Sequence, residues 1–298
     1  MDIVMGPVLF NWPAERWRDF WFRIADEAPV RRAVIGEVVC SKRAPLYFDH
    51  LGEVIERLQA AGKQVALATL AEVMSDVDRR AIAQVVEMAE LVEIEVNDIS
   101  ALWLLKDRPF AVGPYVNVYN ERTLAFLMDK GARRFALPVE MPARSLAIMA
   151  ATAAQHGAET EVHAWGRAPL ALSARCYHAR AHGRTKDSCQ YVCDEDADGM
   201  EVRTLDGHPF LAVNGIQTMS YGCVDLSTRV EELRALGVSA LRLSPHSVDM
   251  VRVAQIFADA AAGRASGEEA HARLREAGLP LPAVNGFFHA RPGHEWIG

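Results

Sequence analysis

RAVIGEVVCSKRAPLYFDHLGEVIERLQAAGKQVALATL, residues 32–70, contains two strand-like runs separated by a helical pattern. Its first nine and last eight residues are rich in aliphatic and β-branched side chains, as buried parallel strands are. Between them, Leu51, Ile55 and Leu58 recur at helical spacing, and Gly62 stands where helices commonly end. The stretch therefore predicts a strand, a helix and a second strand parallel to the first, because a crossover helix joins parallel strands.

The same alternation continues along the chain. Strand-like runs occupy residues 2–9, 32–40, 63–70, 91–96, 110–119, 133–139, 160–166 and 239–245. Helical patterns occupy residues 45–62, 71–90, 120–131, 142–157, 225–237 and 247–263. Strands and helices alternating in this way over 298 residues predict an α/β fold, and they favour a (β/α)8-like barrel of parallel strands over an open doubly wound sheet. We expect a single barrel-like domain over residues 1–298.

The alternation is interrupted over residues 167–224. This stretch is polar at first and then gives two short strand-like runs around Asp206-Gly207, a dipeptide typical of a tight hairpin turn. We therefore expect an insertion after the seventh strand, made of a cysteine-bearing loop and a β-hairpin.

Composition and charge exclude several classes of protein. Half of the residues are apolar, so a chain of this length can bury a core without disulfide bonds. The N-terminal MDIVMGPVLFNWPAERW lacks the pattern of a secretion signal, and the cysteine count of five is odd, so we expect a cytoplasmic protein with free thiols. The formal net charge of -7 predicts no general binding of nucleic acid. No apolar run reaches the roughly 18 residues that a membrane span needs.

Three of the five cysteines, Cys176, Cys189 and Cys193, lie within 18 residues of polar sequence. Thiolates in such a loop bind zinc or an iron-sulfur cluster, but three ligands require a fourth. Cys40 ends the second predicted strand and Cys176 follows the seventh, so both should lie at the C-terminal face of a barrel, where the loops converge. Cys40 is therefore the favoured fourth ligand, and Cys223, in an apolar context, is the competing candidate.

The spacing leaves the type of metal open. Only Cys189 and Cys193 are paired as zinc-finger cysteines are, and a dispersed set of four thiolates suits a [4Fe-4S] cluster at least as well. Three histidines are alternative ligands, namely His163, His178 and His182. A four-thiolate cluster is anionic, and basic residues of the loop either offset its charge or form an ordinary solvated surface, namely Arg175, Arg180, Arg184 and Lys186.

EVHAWGRAPLALSARC (161–176) and CQYVC (189–193) resemble the signature of the collagenase-like peptidase family, U32. That signature reads approximately E-V-F-x-H-G-A-L-C, followed by Y-S-G-x-C and C-x-x-P-C. The resemblance includes GPVLFNWP (6–13) and VNVYN (116–120) and covers most of the chain.

Two departures from the family signature concern metal ligands. Trp165 stands where the broader family has His, and Pro169 stands where it has Cys, so one of the usual four thiols is missing. The chain is similar to a branch of the family in which an early cysteine joins three later ones to hold a [4Fe-4S] cluster. The resemblance therefore implies the cluster ligands Cys40, Cys176, Cys189 and Cys193. Glu161 matches the family's glutamate, and structural pairing is its favoured role.

That branch of the family serves oxygen-independent ubiquinone biosynthesis. The resemblance implies that the chain supports anaerobic hydroxylation of a quinone-precursor ring, as a heterodimer with a homologous, cluster-bearing UbiU-like subunit. Other relatives hydroxylate RNA bases with prephenate as the oxygen source, so prephenate is the oxygen donor that the resemblance implies. The sequence leaves open whether this chain is catalytic or supportive, and it identifies no catalytic residue.

Two other functions are alternatives. One is a zinc-stabilised scaffold that binds a partner without redox chemistry. The other is a collagenase-like peptidase, which is disfavoured because no nucleophile and base can be paired in the sequence. Nucleotide-binding, serine-hydrolase and zincin motifs are absent from the sequence.

Three further features have both structural and functional interpretations. DEDADG (194–199) resembles the start of a calcium loop, but Leu205 stands where the bidentate glutamate belongs, so a solvated turn is favoured. Asn117 and Asn120 lie at the end of the fifth predicted strand and are candidates for substrate binding, with helix capping favoured for Asn120. An aromatic-rich first helix either packs on the barrel or meets a partner, through Trp12, Trp17, Phe20, Trp21 and Phe22.

Overall fold

The structure is a computed structural model that describes residues 1–106 and 108–298. The described residues form the strands β1 (Asp2–Met5), β2 (Arg32–Ile35), β3 (Gln64–Ala68), β4 (Glu93–Val96), β5 (Phe110–Val112), β6 (Ala132–Ala136), β7 (Glu159–Leu172), β8 (Met200–Arg203), β9 (Pro209–Asn214), β10 (Gln217–Asp225), β11 (Ala240–Leu243) and β12 (Ala283–Val284). They also form the helices α1 (Ala14–Glu27), α2 (Ala44–Ala60), α3 (Asp76–Glu87), α4 (Ala101–Leu105), α5 (Glu121–Asp129), α6 (Ala143–Gln155), α7 (Tyr177–Ala181), α8 (Val230–Ala235), α9 (Met250–Ala261) and α10 (Gly267–Ala277).

Strands β1 to β7 and β11 form a closed parallel barrel. Strands β1 to β7 pair in chain order, and β11 pairs with both β1 and β7, which closes the ring. In this register, Ala240 lies opposite Asp2 on one side and Glu161 on the other. The predicted (β/α)8 barrel is therefore confirmed. The alternative of an open doubly wound sheet is wrong, because an open sheet has two unpaired edges and this ring has none.

Six of the barrel strands end earlier than the sequence predicts, and two of them, β2 and β5, precede candidate site residues. Strand β2 stops at Ile35 because Gly36 adopts a left-handed φ of +105°, where a Cβ would lie 3.0 Å from the carbonyl oxygen of Ala68. Strand β5 stops at Val112 because the following residues form a 3-10 turn that begins at Pro114. Cys40 and Asn117 therefore lie in loops beyond the strand ends, not in the strands themselves.

The insertion after β7 is larger than the predicted hairpin. Strand β7 continues to Leu172, and its second half pairs with β10 in antiparallel orientation. Strand β9 pairs with β10, and β8 pairs with β9, so a small antiparallel sheet extends from the barrel in the order β7, β10, β9, β8. Strands β8 and β9 are the hairpin predicted around Asp206-Gly207. The third strand, β10, was not predicted because polar residues and Gly222 interrupt its apolar pattern.

Four buried charged side chains form a network across the barrel interior. Arg242 on β11 donates to both carboxylate oxygens of Glu95 on β4, at 2.7 and 2.8 Å, and to Glu161 on β7 at 3.2 Å. Arg32 on β2 also donates to Glu161. These strands are not all neighbours, so the contacts span the ring. Each buried charge has an opposite partner, which offsets the cost of removing it from water. Glu161 thus has the structural pairing role that the sequence favours.

The aromatic side of α1 packs against the protein. Trp17 stacks on Tyr47 of α2, with ring centroids 4.3 Å apart, and Trp21 is fully buried. Phe22 lies beneath the guanidinium of Arg57, 4.5 Å from ring centroid to Cζ. Packing against the protein therefore accounts for Trp17, Trp21 and Phe22, and contact of the first helix with a partner stays a prediction.

Three helices were not predicted, namely α4, α7 and α10. The first two have five residues each, which is too short for a periodic pattern, and α10 is mostly polar and buries only Ala270 and Leu274. Among the residues that the structure describes, no helix combines the length and apolar character needed to cross a bilayer.

Candidate metal centre

Four of the five cysteines line one cavity beside the C-terminal end of the barrel. Cys40 lies in the loop after β2, Cys176 caps α7, and Cys189 and Cys193 lie in the loop and 3-10 turn that follow α7. All four line a space of about 370 Å³, which we call the thiol cavity. Its other lining residues are Lys42, Arg43, His178, Lys186, Tyr191, Val192, Gly215 and Ile216. The structure thus brings together the four residues chosen from the sequence, and metal ligation by them stays a prediction.

Direct hydrogen bonds hold the early cysteine loop against the late one. Lys42, two residues after Cys40, donates through Nζ to the carbonyl oxygens of Lys186 at 2.6 Å and Asp187 at 3.3 Å. Arg184 donates to the carbonyl oxygen of Cys189 at 3.1 Å. The loop after β2 and the loop after α7, which are far apart in sequence, are therefore held together at one cavity.

All five cysteines are free thiols in the structure. Burial raises the pKa of Cys40 and of Cys193, while the neighbouring Arg43 guanidinium acts in the opposite direction on both thiols. Buried thiols of this kind stay protonated at neutral pH unless a cation takes the place of the proton. The cavity therefore favours thiolates only when a metal group is bound.

Arg43 is the residue of this site that sequence reasoning missed. Its side chain is 2% exposed; Nη1 donates to the carbonyl oxygen of Leu9 at 2.8 Å, and Nη2 donates to Oδ1 of Asn214 at 3.0 Å. The buried Nε–H has no hydrogen-bond partner among the described residues. A Cβ on Gly215, where φ is +63°, would lie 2.6 Å from Nη2, so only glycine leaves room for the guanidinium. No sequence signal separates Arg43 from an ordinary solvent-exposed arginine at a helix start.

The basic loop residues differ in their relation to the cavity. Lys186 lines it, and Arg184 supports the Cys189 backbone. Arg175 and Arg180 are exposed and do not line it. The expectation that loop residues supply the positive charge is therefore only half right, because the buried cation of the site comes from Arg43.

Cys223 lies outside the thiol cavity. It sits on β10, paired with β12, and is 4% exposed. Burial raises the pKa of its thiol, and the nearby Asp225 raises it further. Cys223 therefore behaves as a small buried apolar residue, and it does not complete the set of four.

The three candidate histidines have hydrogen-bond partners within the protein. His178 uses Nε2 with Asp196 at 2.9 Å and Nδ1 with the backbone N–H of Gly215 at 3.5 Å. His163 contacts the carbonyl oxygen of Gly166, and His182 contacts that of His178. His178 lines the thiol cavity with both ring nitrogens engaged, so it supports the wall of the cavity.

The aspartates of DEDADG hold the insertion in place. Asp196 binds His178, as described above, and Asp198 accepts from the backbone N–H of Ser247 at 2.8 Å and from its hydroxyl. Asp194 ends a 3-10 turn and Gly199 has a φ of +89°. The carboxylates of Asp196 and Asp198 are hydrogen-bonded within the protein. This arrangement is typical of a structural turn before the hairpin and not of a calcium loop.

A second cavity lies where the loops after β5 and β6 meet the extension of β7. We call it the mouth cavity; it has a volume of about 680 Å³ and is lined by Pro114, Tyr115, Asn117, Pro138, Val139, Glu140 and residues 169–172. Asn117, with φ of +60°, lines it, whereas Asn120 accepts from the backbone N–H of Thr123 and caps α5. Pro169, which stands at the family's cysteine position, also lines this cavity, and Trp165 is buried against His246.

The donor set of the thiol cavity fits an anionic metal-thiolate group. Four thiols, a buried guanidinium with a free N–H and two lysines surround one space. Among the described residues, no three His, Cys, Asp or Glu side chains are grouped as ligands of one metal ion.

Fold and site together define a (β/α)8-barrel protein with a four-thiol cavity built from an insertion after the seventh strand. The model of Peptidase family U32 matches residues 14–298, and the chain belongs to that family.

Two solved structures are similar over most of the chain. A tryptophan synthase complex from Pyrococcus furiosus is 11% identical, with 91% of this chain and 98% of that chain covered and a TM-score of 0.43. An uncharacterized B. cereus protein is 12% identical, with 91% and 64% covered and a TM-score of 0.35. Structural similarity at this level gives no information about the function of the thiol cavity.

Proposed function

We propose that this chain is a UbiV-type [4Fe-4S] protein, which supports anaerobic hydroxylation of a quinone-precursor ring in oxygen-independent ubiquinone biosynthesis. It would act as a heterodimer with a UbiU-like subunit, with prephenate as the oxygen donor. Cys40, Cys176, Cys189 and Cys193 would hold the cluster. The proposal rests on membership of the U32 family, on the sequence resemblance to one branch of it, and on the thiol cavity.

The observation that carries the proposal is the buried Nε–H of Arg43, which has no hydrogen-bond partner among the described residues. A buried guanidinium is costly unless an anion or several acceptors satisfy it, and here Nε–H has no acceptor among the described residues. Because Arg43 lines the same cavity as four thiols, the missing acceptor belongs to an anionic group held by thiolates. A four-thiolate metal centre is such a group.

The choice of a cluster over one zinc ion rests on the sequence resemblance. Four thiolates hold either a zinc ion or a [4Fe-4S] cluster, and the thiol cavity brings four thiols together. Metal analysis therefore decides between the two centres.

The cluster, when bound, supplies one-electron transfer. The chain's own residues would do three things for it. Arg43, Lys42 and Lys186 offset the negative charge, His178 and Asp196 brace the wall, and Val192 and Ile216 keep water away. These are supporting roles, and they leave the assignment of the hydroxylation step to either subunit.

Metal analysis of the chain purified without oxygen tests the proposal. We expect a brown protein with about four iron and four sulfide per chain. Colourless protein with stoichiometric zinc would instead establish the zinc-stabilised scaffold. Cys176→Ala separates the two roles further, because loss of metal without loss of cellular quinone would indicate a structural centre.

Peptidase activity receives no support from the site. Among the described residues, no Ser, Thr or Cys side chain is hydrogen-bonded to a histidine ring, so no activated nucleophile is in place. Cleavage of a collagen-like peptide that one point substitution abolishes would reverse this conclusion.

A further inference from the structure

Three of the four thiols lie in the insertion, whereas Cys40 lies in the short loop between β2 and α2. We call residues 36–43 the Cys40 loop. None of its residues belongs to a helix or a strand. The position of the Cys40 thiol therefore depends on contacts made by the loop itself and not on a regular element.

Glu37 holds the backbone of the loop at Cys40. Its Oε1 accepts from the backbone N–H of Val39 at 2.8 Å and from the backbone N–H of Cys40 at 2.9 Å. The backbone N–H of Arg43 donates to the carbonyl oxygen of Cys40 at 2.9 Å. Both backbone polar groups of Cys40 are thus engaged within its own loop, and Glu37 supplies the only side chain among these partners.

The other side-chain contacts of the loop come after Cys40. The hydroxyl of Ser41 donates to Oδ1 of Asp78 at 2.5 Å, and Lys42 donates to the carbonyl oxygen of Lys186 at 2.6 Å. These contacts tie the second half of the loop to α3 and to the insertion. Glu37 fixes the first half, so the two sets of contacts hold the loop on both sides of the thiol.

The burial of Glu37 indicates that its hydrogen bonds, and not its charge, explain its place. Glu37 is 8% exposed, and burial raises the pKa of its carboxyl group, while the nearby Arg43 and the backbone N–H groups act in the opposite direction. A carboxylate beside an anionic metal-thiolate group adds repulsion, so it cannot serve to offset the charge of that group. A carboxylate oxygen is, however, a strong acceptor for backbone N–H groups.

We propose that Glu37 is a positioning residue, which holds the backbone of the Cys40 loop so that the Cys40 thiol meets the metal group held by the three thiols of the insertion. This inference rests on the proposed function in taking Cys40 as a ligand, and it applies to a cluster and to a zinc ion alike. Groups that orient metal ligands typically contribute about 10- to 100-fold to metal affinity. Glu37 should therefore govern how fast the centre loses metal.

The rate at which a chelator removes metal from the anaerobically purified chain tests this role, with bathophenanthroline for iron and EDTA for zinc. Glu37→Ala removes the acceptor and should speed metal loss by about 10- to 100-fold. Glu37→Gln keeps an oxygen that accepts from the same N–H groups, so it should restore the wild-type rate. A wild-type rate in Glu37→Ala would overturn the inference. So would equally fast loss in Glu37→Gln, because the charge of Glu37 would then be what matters.

Asp225→Ala is the matched control. Asp225 is 3% exposed and accepts from the backbone N–H of Ser227 at 2.8 Å, so it is also a buried carboxylate that holds its own loop. It ends β10 and does not line the thiol cavity. Asp225→Ala should lower the free energy of unfolding and leave the rate of metal loss from the folded chain unchanged. Equal acceleration in both alanine variants would mean that general destabilisation, and not positioning, causes the loss.

Oxidation by ferricyanide, followed by electron paramagnetic resonance, gives a signature of a single misplaced ligand. Removal of one electron from a [4Fe-4S] cluster, with departure of one Fe²⁺ ion, leaves a [3Fe-4S] cluster. The iron whose thiolate is out of place should depart first. At the same amount of ferricyanide, Glu37→Ala should give a larger three-iron signal than the wild type, and Asp225→Ala should not. Equal signals in Glu37→Ala and the wild type would count against the positioning role.

The identity of the metal and the rate of its loss answer separate questions. Zinc in place of iron contradicts the cluster, while the rates still decide the role of Glu37. A chain that holds no metal contradicts both proposals, because Cys40 is then no ligand. If Glu37→Ala does not fold, Glu37→Asp takes its place, since a side chain shorter by one carbon draws the acceptor away from the two N–H groups. Metal loss from Glu37→Asp at the wild-type rate would then overturn the inference.

Discussion

Two regions of the molecule bury charged side chains, and they differ in whether the charges are matched. Inside the barrel, Arg242 contacts Glu95 and Glu161, and Arg32 contacts Glu161. At the thiol cavity, Arg43 forms no ion pair among the described residues and donates only to a carbonyl and an amide oxygen. Glu37, a buried carboxylate nearby, instead accepts from the backbone N–H groups of Val39 and Cys40.

The difference separates a structural network from a binding site. In a closed set of buried ion pairs, every charge has a partner within the protein, so no charge is available to bind a ligand. A buried cation that forms no direct ion pair keeps part of the cost of its burial, and a bound anion in contact with it would relieve that cost. Both regions contain buried arginine and glutamate side chains. Only the hydrogen-bond partners of each side chain distinguish the two regions.

Replacing Cys40 should have the largest effect on the thiol cavity. Cys40→Ala removes the one predicted ligand that lies outside the insertion, so most of the iron and sulfide should be lost. Cys223→Ala is the matched control, and it should keep the metal content of the wild type because Cys223 lies on β10, away from the cavity. Equal metal content in both variants would show that Cys40 is not a ligand.

Replacing Glu161 should affect the barrel and leave the thiol cavity intact. Glu161→Leu removes the buried carboxylate that Arg32 and Arg242 share and leaves Arg32 with only the half-exposed Glu159, so we expect a loss of about 3 to 5 kcal/mol in the free energy of unfolding by urea. Glu159→Gln also removes a partner of Arg32, but from a half-exposed site, and should cost less than about 1 kcal/mol. The folded fraction of either variant should hold as much iron as the wild type. Loss of metal in folded Glu161→Leu would show that the charge network of the barrel and the thiol cavity are not independent.

Acid should destabilise the contact between barrel and insertion through His246. Burial lowers the pKa of His246 to about 4, with Asp198 acting against that shift and Arg167 adding to it. Its Nδ1–H donates to the carbonyl of Ser244, and Nε2 accepts from the backbone N–H of Arg167, so the folded protein needs the neutral ring.

The sign of this pH effect follows from proton uptake. The unfolded chain binds a proton near pH 6.5 and the folded chain only near 4, so the stabilisation is complete above pH 6.5 and is lost as the pH falls toward 4. The full effect is about 3 kcal/mol. His246→Gln should flatten the difference in unfolding free energy between pH 7 and pH 4.5, and an unchanged pH slope would contradict a buried neutral His246.

Replacing Arg43 should have the smallest effect and should act on the metal group alone. Arg43→Gln removes the positive charge, so the midpoint potential of the cluster should become more negative and metal retention should fall by about tenfold. Arg180→Gln removes an exposed arginine of the same loop system and should change neither quantity. A potential that is equal in both variants would mean that Arg43 does not act on the cluster.

Local patterns made the barrel and the four cysteines predictable. Each barrel strand is a short apolar run, which made the barrel predictable. Because a parallel barrel places the residues that follow its strands at one face, Cys40 and Cys176 were predicted to lie close together. The continuation of β7 to Leu172 was missed because its exposed end, Pro169 to Leu172, has no strand-like alternation without its partner β10.

Residues that depend on distant contacts were beyond sequence reasoning. Arg43 and Asn214 lie 171 positions apart, and both are polar residues of types that usually lie at the surface. They are hydrogen-bonded at the point where Gly215 leaves room for the guanidinium. The only sign of this φ of +63° and of this close approach in the sequence is a glycine. The chain contains 20 glycines, so the sequence does not single out Gly215.

The placement of the four thiols also governs when the centre can be assembled. Cys40 precedes Cys176 by 136 positions, and the segment between them contains most of the barrel strands. During synthesis residue 193 must leave the ribosome before all four thiols are available, so metal loading follows the synthesis of six complete β–α units. Maturation of the centre is thus a late event, and metal starvation should yield a barrel with a loosened insertion instead of an unfolded chain.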